Sequence, residues 1–276
     1  MFLIKWLIRL AKPFVIRSNR LSVLYRRMRD QLDMMDEPKT TLWGFKLAGN
    51  KAMVNGTFEP IETNLVRKFL QEVDVLVNVG ANVGYYCCHA LSMGKPVIAF
   101  EPIQRNLHYL CKNIRANKFD GVEIFPMALS NKVGVMEIYG GDTGASLVKG
   151  WANIPENYSM TVPCSTMDRV LDNRLFGKKV LVLVDIEGAE KWMLEGASKM
   201  IVNEPRPIWL IEIMSKDHQP NGININPNLV SVFELFFQNG YQAFTADKGM
   251  QAISLEKARS VANDFSSFET HNFIFL

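Results

Sequence analysis

The sequence has no CxxC pair; its four cysteines, Cys87, Cys88, Cys111 and Cys164, stand adjacent or isolated. That spacing argues against a zinc site and a disulfide framework and predicts buried, reduced thiols in a cytoplasmic protein. No apolar run approaches the ~20 residues of a membrane span. The most apolar terminal stretch, residues 1–17, is interrupted by Lys5, Arg9 and Lys12, and no small-residue cleavage site follows it, which argues against a span and a secretory leader. Internal repeats and low-complexity tracts are also missing, so solenoid and linker architectures are set aside. A large excess of one charge is lacking too: the chain of 276 residues carries a formal +3.

That small charge is unevenly distributed. Residues 1–31 hold eight basic residues against Asp30, a formal +7, so the remainder carries −4. A mildly acidic body offers no footprint for nucleic acid. In the basic stretch Lys5, Arg9 and Lys12 share one helical face, while Phe2, Leu3, Trp6, Leu7, Leu10 and Phe14 cover the other. Such a helix suits a membrane interface; packing on its own body or in a homo-oligomer is the alternative. Pro13 ends or kinks it.

The body alternates between two periods. Residues 42–58, with Gly-Asn and Asn-Gly pairs, read as a small β-hairpin region, and 61–71 as a short helix. Strands are predicted at 73–80, 96–102, 122–129, 179–188 and 206–214, and helices at 85–94, 103–118, 189–201 and 226–240. Residues 134–141 and 160–166 read as extra strands around a polar loop. Two late strands, 241–246 and 272–276, close the chain without a comparably periodic helix between them. This order predicts a parallel α/β sheet with helices on both faces and an antiparallel finish.

Ligands of such sheets sit at the carboxyl ends of the strands. Those ends read Gly80-Ala81-Asn82-Val83-Gly84, Glu101-Pro102, Ala128-Leu129-Ser130, Asp185-Ile186-Glu187-Gly188 and Glu212. Gly80 allows a tight turn out of the strand, and Gly84 would let a helix start close against a ligand. Asn82 replaces the second glycine of the dinucleotide fingerprint, which counts against a pyrophosphate and hence against an NAD-dependent oxidoreductase. Glu101, beside Pro102 and 21 positions after Gly80, is placed to accept hydrogen bonds from both hydroxyls of a ribose. Asp185, Glu187, Glu190 and Glu212 would border the reacting end of the ligand, although Glu187 and Glu190 also suit a helix N-terminus.

Four blocks, VNVGANVGYY, AFEPIQRNLHYLCKNIRAN, PMALSNKVGVMEIY and VDIEGAEKWMLEGA, together resemble the FkbM family of methyltransferases, over roughly residues 56–246. The resemblance implies a Rossmann-like class I methyltransferase fold, a seven-stranded, mostly parallel sheet with an antiparallel last strand. It also implies S-adenosylmethionine as methyl donor. It divides the chain into a basic amphipathic helical extension, 1–40, and a methyltransferase domain, 41–276. It places Gly80, Ala81, Asn82 and Gly84 along the methionine part of the donor, Glu101 with Pro102 on the ribose, and the Ala128 region beside the adenine. Asp185 and Glu187 fall in the D-x-E-G block near the transferring methyl, and Glu59 of GTFEP matches a further cofactor position. Two positions depart from the family: Asn78 stands for an Asp that could touch the cofactor, and Leu183 for a frequent Lys. These departures are the support for a non-catalytic nucleoside-binding or scaffold domain.

Methyl transfer to a hydroxyl needs positioning and a base. Asp185 is the first candidate, Glu212 the second, with Glu187 beside them; His218 is a weaker one. Oxygen ligands of this kind also suit Mg²⁺, but no metal is assigned. The long loop 141–160, with Ser146, Trp151 and Tyr158, is placed to cover an acceptor. Family members act on sugars, lipids and polyketide-like molecules, so O-methylation of a saccharide, a glycolipid or another small metabolite is expected, at the cytoplasmic membrane surface if residues 1–31 lie there.

Overall fold

A computed structural model describes residues 21, 23–26, 28 and 34–276. The expected amphipathic helix at the start of the chain lies outside them. Among the described residues the strands are β1 (Lys39–Thr40), β2 (Lys46–Leu47), β3 (Val75–Val79), β4 (Val97–Phe100), β5 (Val122–Phe125), β6 (Ala128–Leu129), β7 (Gly134–Tyr139), β8 (Ser159–Ser165), β9 (Val180–Val184), β10 (Ile208–Glu212), β11 (Ala243–Thr245), β12 (Ala252–Ile253) and β13 (Asn272–Phe275). The helices are α1 (Lys51–Asn55), α2 (Pro60–Glu72), α3 (Tyr85–Ser92), α4 (Gln104–Asn117), α5 (Met167–Leu171), α6 (Glu190–Glu195), α7 (Ser198–Ile201), α8 (Leu229–Gln238) and α9 (Leu255–Asn263).

The main sheet runs β12-β11-β13-β10-β9-β3-β4-β5. From β10 to β5 neighbours are parallel, and β13 enters antiparallel between β10 and β11. Seven strands match the expected arrangement; the eighth, β12, is a two-residue addition at the edge.

The central strands β3 and β9 are buried at every position, and their side chains alternate between two cores. Val75, Val77, Val79, Val180, Val182, Val184, Trp209 and Ile211 face the layer of α6 to α9. Leu76, Leu181, Leu183 and Leu210 face the layer of α1 to α4. Each such side chain contributes about 1.5–3 kcal/mol by leaving water, which makes the sheet centre the rigid part of the molecule. Leu183, where a Lys is frequent in the family, is one of these core residues, 3% exposed.

Four elements differ from the sequence reading. The hairpin is β1–β2, and residues 51–55 form α1 instead, because the Asn50 side chain caps its first amides and Gly56 ends it in the left-handed region. The strand expected over 122–129 divides at Pro126, which has no N–H for a ladder; β6 joins β7 and β8 in a separate three-stranded sheet. The helix expected over 189–201 divides at Gly196, where a Cβ would lie 2.2 Å from the Ser130 carbonyl oxygen. Finally, α9 joins β12 to β13, started by the Ser254 side chain accepting from the Lys257 amide. Only Ala258 and Val261 of α9 are buried, so its apolar stripe is thin in sequence.

Candidate functional site

Strand register decides which polar residues meet. Val79 is paired with Phe100 on one side and with Val184 on the other, and Val184 with Ile211. The next residues, Gly80, Glu101, Asp185 and Glu212, therefore leave four adjacent parallel strands at one edge. A cleft opens there, lined among others by Gly80, Asn82, Glu101, Pro102, Ala128, Asp185 and Glu187.

The turn after β3 is held tightly. The amides of Gly80 and Ala81 both donate to the Phe100 carbonyl, at 3.0 and 2.9 Å. A Cβ on Gly80 would stand 1.8 Å from the Asp185 carbonyl oxygen, and its φ is +81°. Glu101 is 3% exposed and accepts from the Asn82 amide (2.7 Å), the Ile103 amide (2.9 Å) and the Asn106 side chain (3.3 Å). Burial outweighs these bonds and lifts its carboxyl to about 7. Asn82 has φ +51°, and its Oδ1 is buried without a partner.

Carboxylates gather over the Asp185 end. Asp185 donates a hydrogen bond to Glu212, and burial followed by the charges of Glu212 and Glu187 raises Asp185 well above the ordinary range. Burial, then Glu187, raises Glu212 to about 8. Glu59 is raised by burial and accepts from the Tyr86 hydroxyl at 2.9 Å. Glu187 is raised by burial and opposed by the indole of Trp151, whose Nε1 donates to its Oε2 at 2.7 Å. His218 Nδ1 lies 3.6 Å from the same oxygen. Among the described residues no set of three or more His, Cys, Asp or Glu is arranged to hold a metal ion.

Glu190 is 2% exposed, accepts from the Gly188 amide at 2.9 Å, and is pushed by burial to about 8. Glu101 and Glu190 thus keep protons in the folded protein that the unfolded chain gives up near 4.5. Their contribution is fully present below that value and lost as pH rises through the folded values, so stability falls from about pH 5 to about pH 8. Thermal melts across that range should show the fall, and Glu190→Gln should flatten it; a wild-type profile that rises with pH would contradict the assignment.

Four of the expected cofactor residues, Glu59, Asn78, Ala81 and Gly84, are not in the cleft lining. Asn78 is 1% exposed, and its Nδ2 points to Cys87 Sγ of α3 at 3.4 Å. Ala81 is buried in the core beneath the turn. At Gly84 a Cβ would meet Leu110 at 2.4 Å, so the packing of α3 on α4 requires glycine there. In the loop after β7, Ser146 and Trp151 bond to Glu187, whereas Tyr158 packs with Val23, Tyr139 and Ile154. Tyr86 and Asn106 escaped the sequence reading, since each lies inside a helix and nothing local marks it as facing a carboxylate.

Comparison with solved structures finds likenesses at low sequence identity. One is to precorrin-6y C5,15-methyltransferase from Geobacter metallireducens GS-15, at 11% identity over 83% of this chain and 90% of that chain, with a TM-score of 0.42. Another is to an O-methyltransferase family protein from Burkholderia thailandensis, at 11% identity over 99% and 68%, with a TM-score of 0.40. No curated protein matches the chain in sequence. A family model does: residues 78–243 match the methyltransferase FkbM domain. That span takes in the turn after β3, the Glu101 and Asp185 strand ends and the loops between them, so the chain belongs to the FkbM family of S-adenosylmethionine-dependent methyltransferases.

Proposed function

We propose that the chain methylates a hydroxyl group of a saccharide, a glycolipid or another small metabolite, with Asp185 and Glu212 working as the base. The observation that carries this reading is the hydrogen-bonded Asp185–Glu212 pair at the ends of adjacent strands, with Asp185 facing the cleft.

The residues present fit the donor. Glu101 is placed for the ribose hydroxyls, with Pro102 and Ala128 along the same wall. The unpartnered Oδ1 of Asn82 suits a donor group of the methionine part. The carboxylates of Asp185, Glu187, Glu59 and Glu212 complement a cation. Bound S-adenosylmethionine supplies a methyl group already activated on a sulfonium. The chain holds the acceptor oxygen in line and manages its proton: the Asp185–Glu212 pair, holding one proton between its two carboxyls, takes the second at Asp185.

The acceptor is neutral or cationic at its reacting end. None of the cleft-lining residues is Lys or Arg, which speaks against nucleic acid and other phosphate-rich acceptors. The basic extension, 1–40, supports action at a cytoplasmic membrane face. Its formal charge over 1–31 is +7, and Leu21, Leu24 and Met28, at helical positions, are 51%, 55% and 47% exposed. No described helix is long and apolar enough to cross a membrane.

One assay tests both parts. Labelled S-adenosylmethionine is offered with saccharide acceptors, free or presented on anionic liposomes. A methyl ether as product, formed faster on liposomes by the full chain but not by one lacking residues 1–31, is expected. Label on nitrogen or carbon would overturn O-methylation, and equal rates for both forms would remove the membrane.

A further inference from the structure

Glu187 stands between two loops and touches both. Its Oε2 accepts from Trp151 Nε1 at 2.7 Å and lies 3.6 Å from His218 Nδ1. Its main-chain oxygen accepts from the Ser146 hydroxyl. Ser146 and Trp151 belong to the loop 141–158, which lines the donor cleft through Asp142, Thr143, Ala145 and Leu147. His218 sits on the loop 215–226, closed at its base by the Asn226 amide bonding the Ser215 carbonyl at 2.7 Å.

The loops also meet directly. The Ala152 amide donates to the His218 carbonyl at 2.7 Å, and the Trp151 and His218 rings stand edge to face at 5.9 Å. Trp151 is 1% exposed and lies so close over Gly188 that a Cβ there would come within 2.5 Å of the indole. Glu187, Ala152, Asn153 and His218 all have positive φ, at 54°, 48°, 56° and 66°. Non-glycine residues hold that conformation where surrounding contacts over-determine them, commonly at functional sites.

We infer that Glu187 is a positioning residue, a clasp through which Trp151 and His218 couple the donor-covering loop to the loop beyond β10, so that ordering of the first loop by the donor is passed to the second. The inference rests on the donor site proposed above. It gives Glu187 a role other than the base: its Oε2 and its main-chain oxygen are engaged by the two loops.

The test is hydrogen exchange with and without S-adenosylhomocysteine, after calorimetry has established saturation of each variant. In the wild type the ligand should slow exchange in both 141–158 and 215–226, by about tenfold, the scale of ordinary coupling between sites. His218→Ala, at a half-exposed position, should keep protection of 141–158 and lose that of 215–226. His218→Gln, which still donates, should restore it. Trp151→Phe, which keeps a ring but removes the N–H, should uncouple the loops in the same way. A purely structural role would loosen both loops equally, with or without ligand. Protection of 215–226 unchanged in His218→Ala, or missing in the wild type, would overturn the coupling. Failure of the wild type to bind S-adenosylhomocysteine would instead overturn the donor site on which it rests.

Discussion

Asp185→Asn will bind S-adenosylhomocysteine as the wild type does and turn over at least about 10²-fold more slowly, the usual cost of losing a general base. The substitution keeps size and keeps a donor toward Glu212, so the strand end and the neighbouring carboxylates stay in place. What it removes is the ability to accept a proton from the cleft side. The geometry assigns this to Asp185 because it lines the cleft while Glu212 stands behind it, abreast on the next strand. Single-turnover rates on any identified acceptor measure it. A rate within threefold of the wild type would take Asp185 out of the chemistry and leave Glu212 as the base.

Gly80→Ala should be the most damaging single-methyl addition in the chain. Its Cβ would be placed 1.8 Å from the Asp185 carbonyl oxygen, a main-chain atom that cannot rotate aside. Relief requires β3 to separate from β9 at the site itself, breaking the bond from the Asp185 amide to the Val79 carbonyl, 3.0 Å. The left-handed φ of +81° adds its own penalty. Together these amount to about 3–5 kcal/mol of lost stability, at the high end for one substitution, with donor binding lost. Gly94→Ala is the control: φ is +74° and nothing lies within 4 Å of the added methyl, so only the conformational cost of about 1–2 kcal/mol remains. Urea unfolding of the two variants decides the matter; equal losses would show that the contact with Asp185 is not what requires glycine.

Much of the architecture was legible because the sheet centre obeys simple rules. Five-residue runs such as VLVLV at 180–184, followed at once by charged residues, have few readings other than a buried parallel strand ending at a polar edge. The carboxyl-end rule then pointed to Glu101 and Asp185. Register was not legible. That Glu212 stands beside Asp185 follows from pairing Ile211 with Val184, a long-range choice that no local pattern states. The packing demand on Gly84 was hidden for the same reason, since the atom that forbids a side chain there belongs to Leu110 of the following helix. Pro126 and Gly196, by contrast, were visible breakers within a predicted strand and helix. The weight given to the apolar residues around them hid two element boundaries.

The sequence could indicate a loop over the site but not its attachment. Trp151 reads as one aromatic residue in a polar stretch, and only the folded chain brings its indole to Glu187, 36 positions later. The dehydrogenase reading loses its footing on the family match, and Asn82, with a positive φ and a side chain inside the cleft, leaves no room for a pyrophosphate on the turn.

The central claim is that the cleft between Glu101 and Asp185 holds the nucleoside donor. The most direct measurement is calorimetric titration of the full chain with S-adenosylhomocysteine, with NAD in parallel and Glu101→Ala as the site control. The account predicts one-to-one binding of S-adenosylhomocysteine with a dissociation constant on the order of micromolar, no heat from NAD, and a loss of affinity of at least about tenfold in Glu101→Ala, from removal of a buried hydrogen-bonding carboxylate. Binding left intact in Glu101→Ala, or saturable binding of NAD in its place, would contradict it.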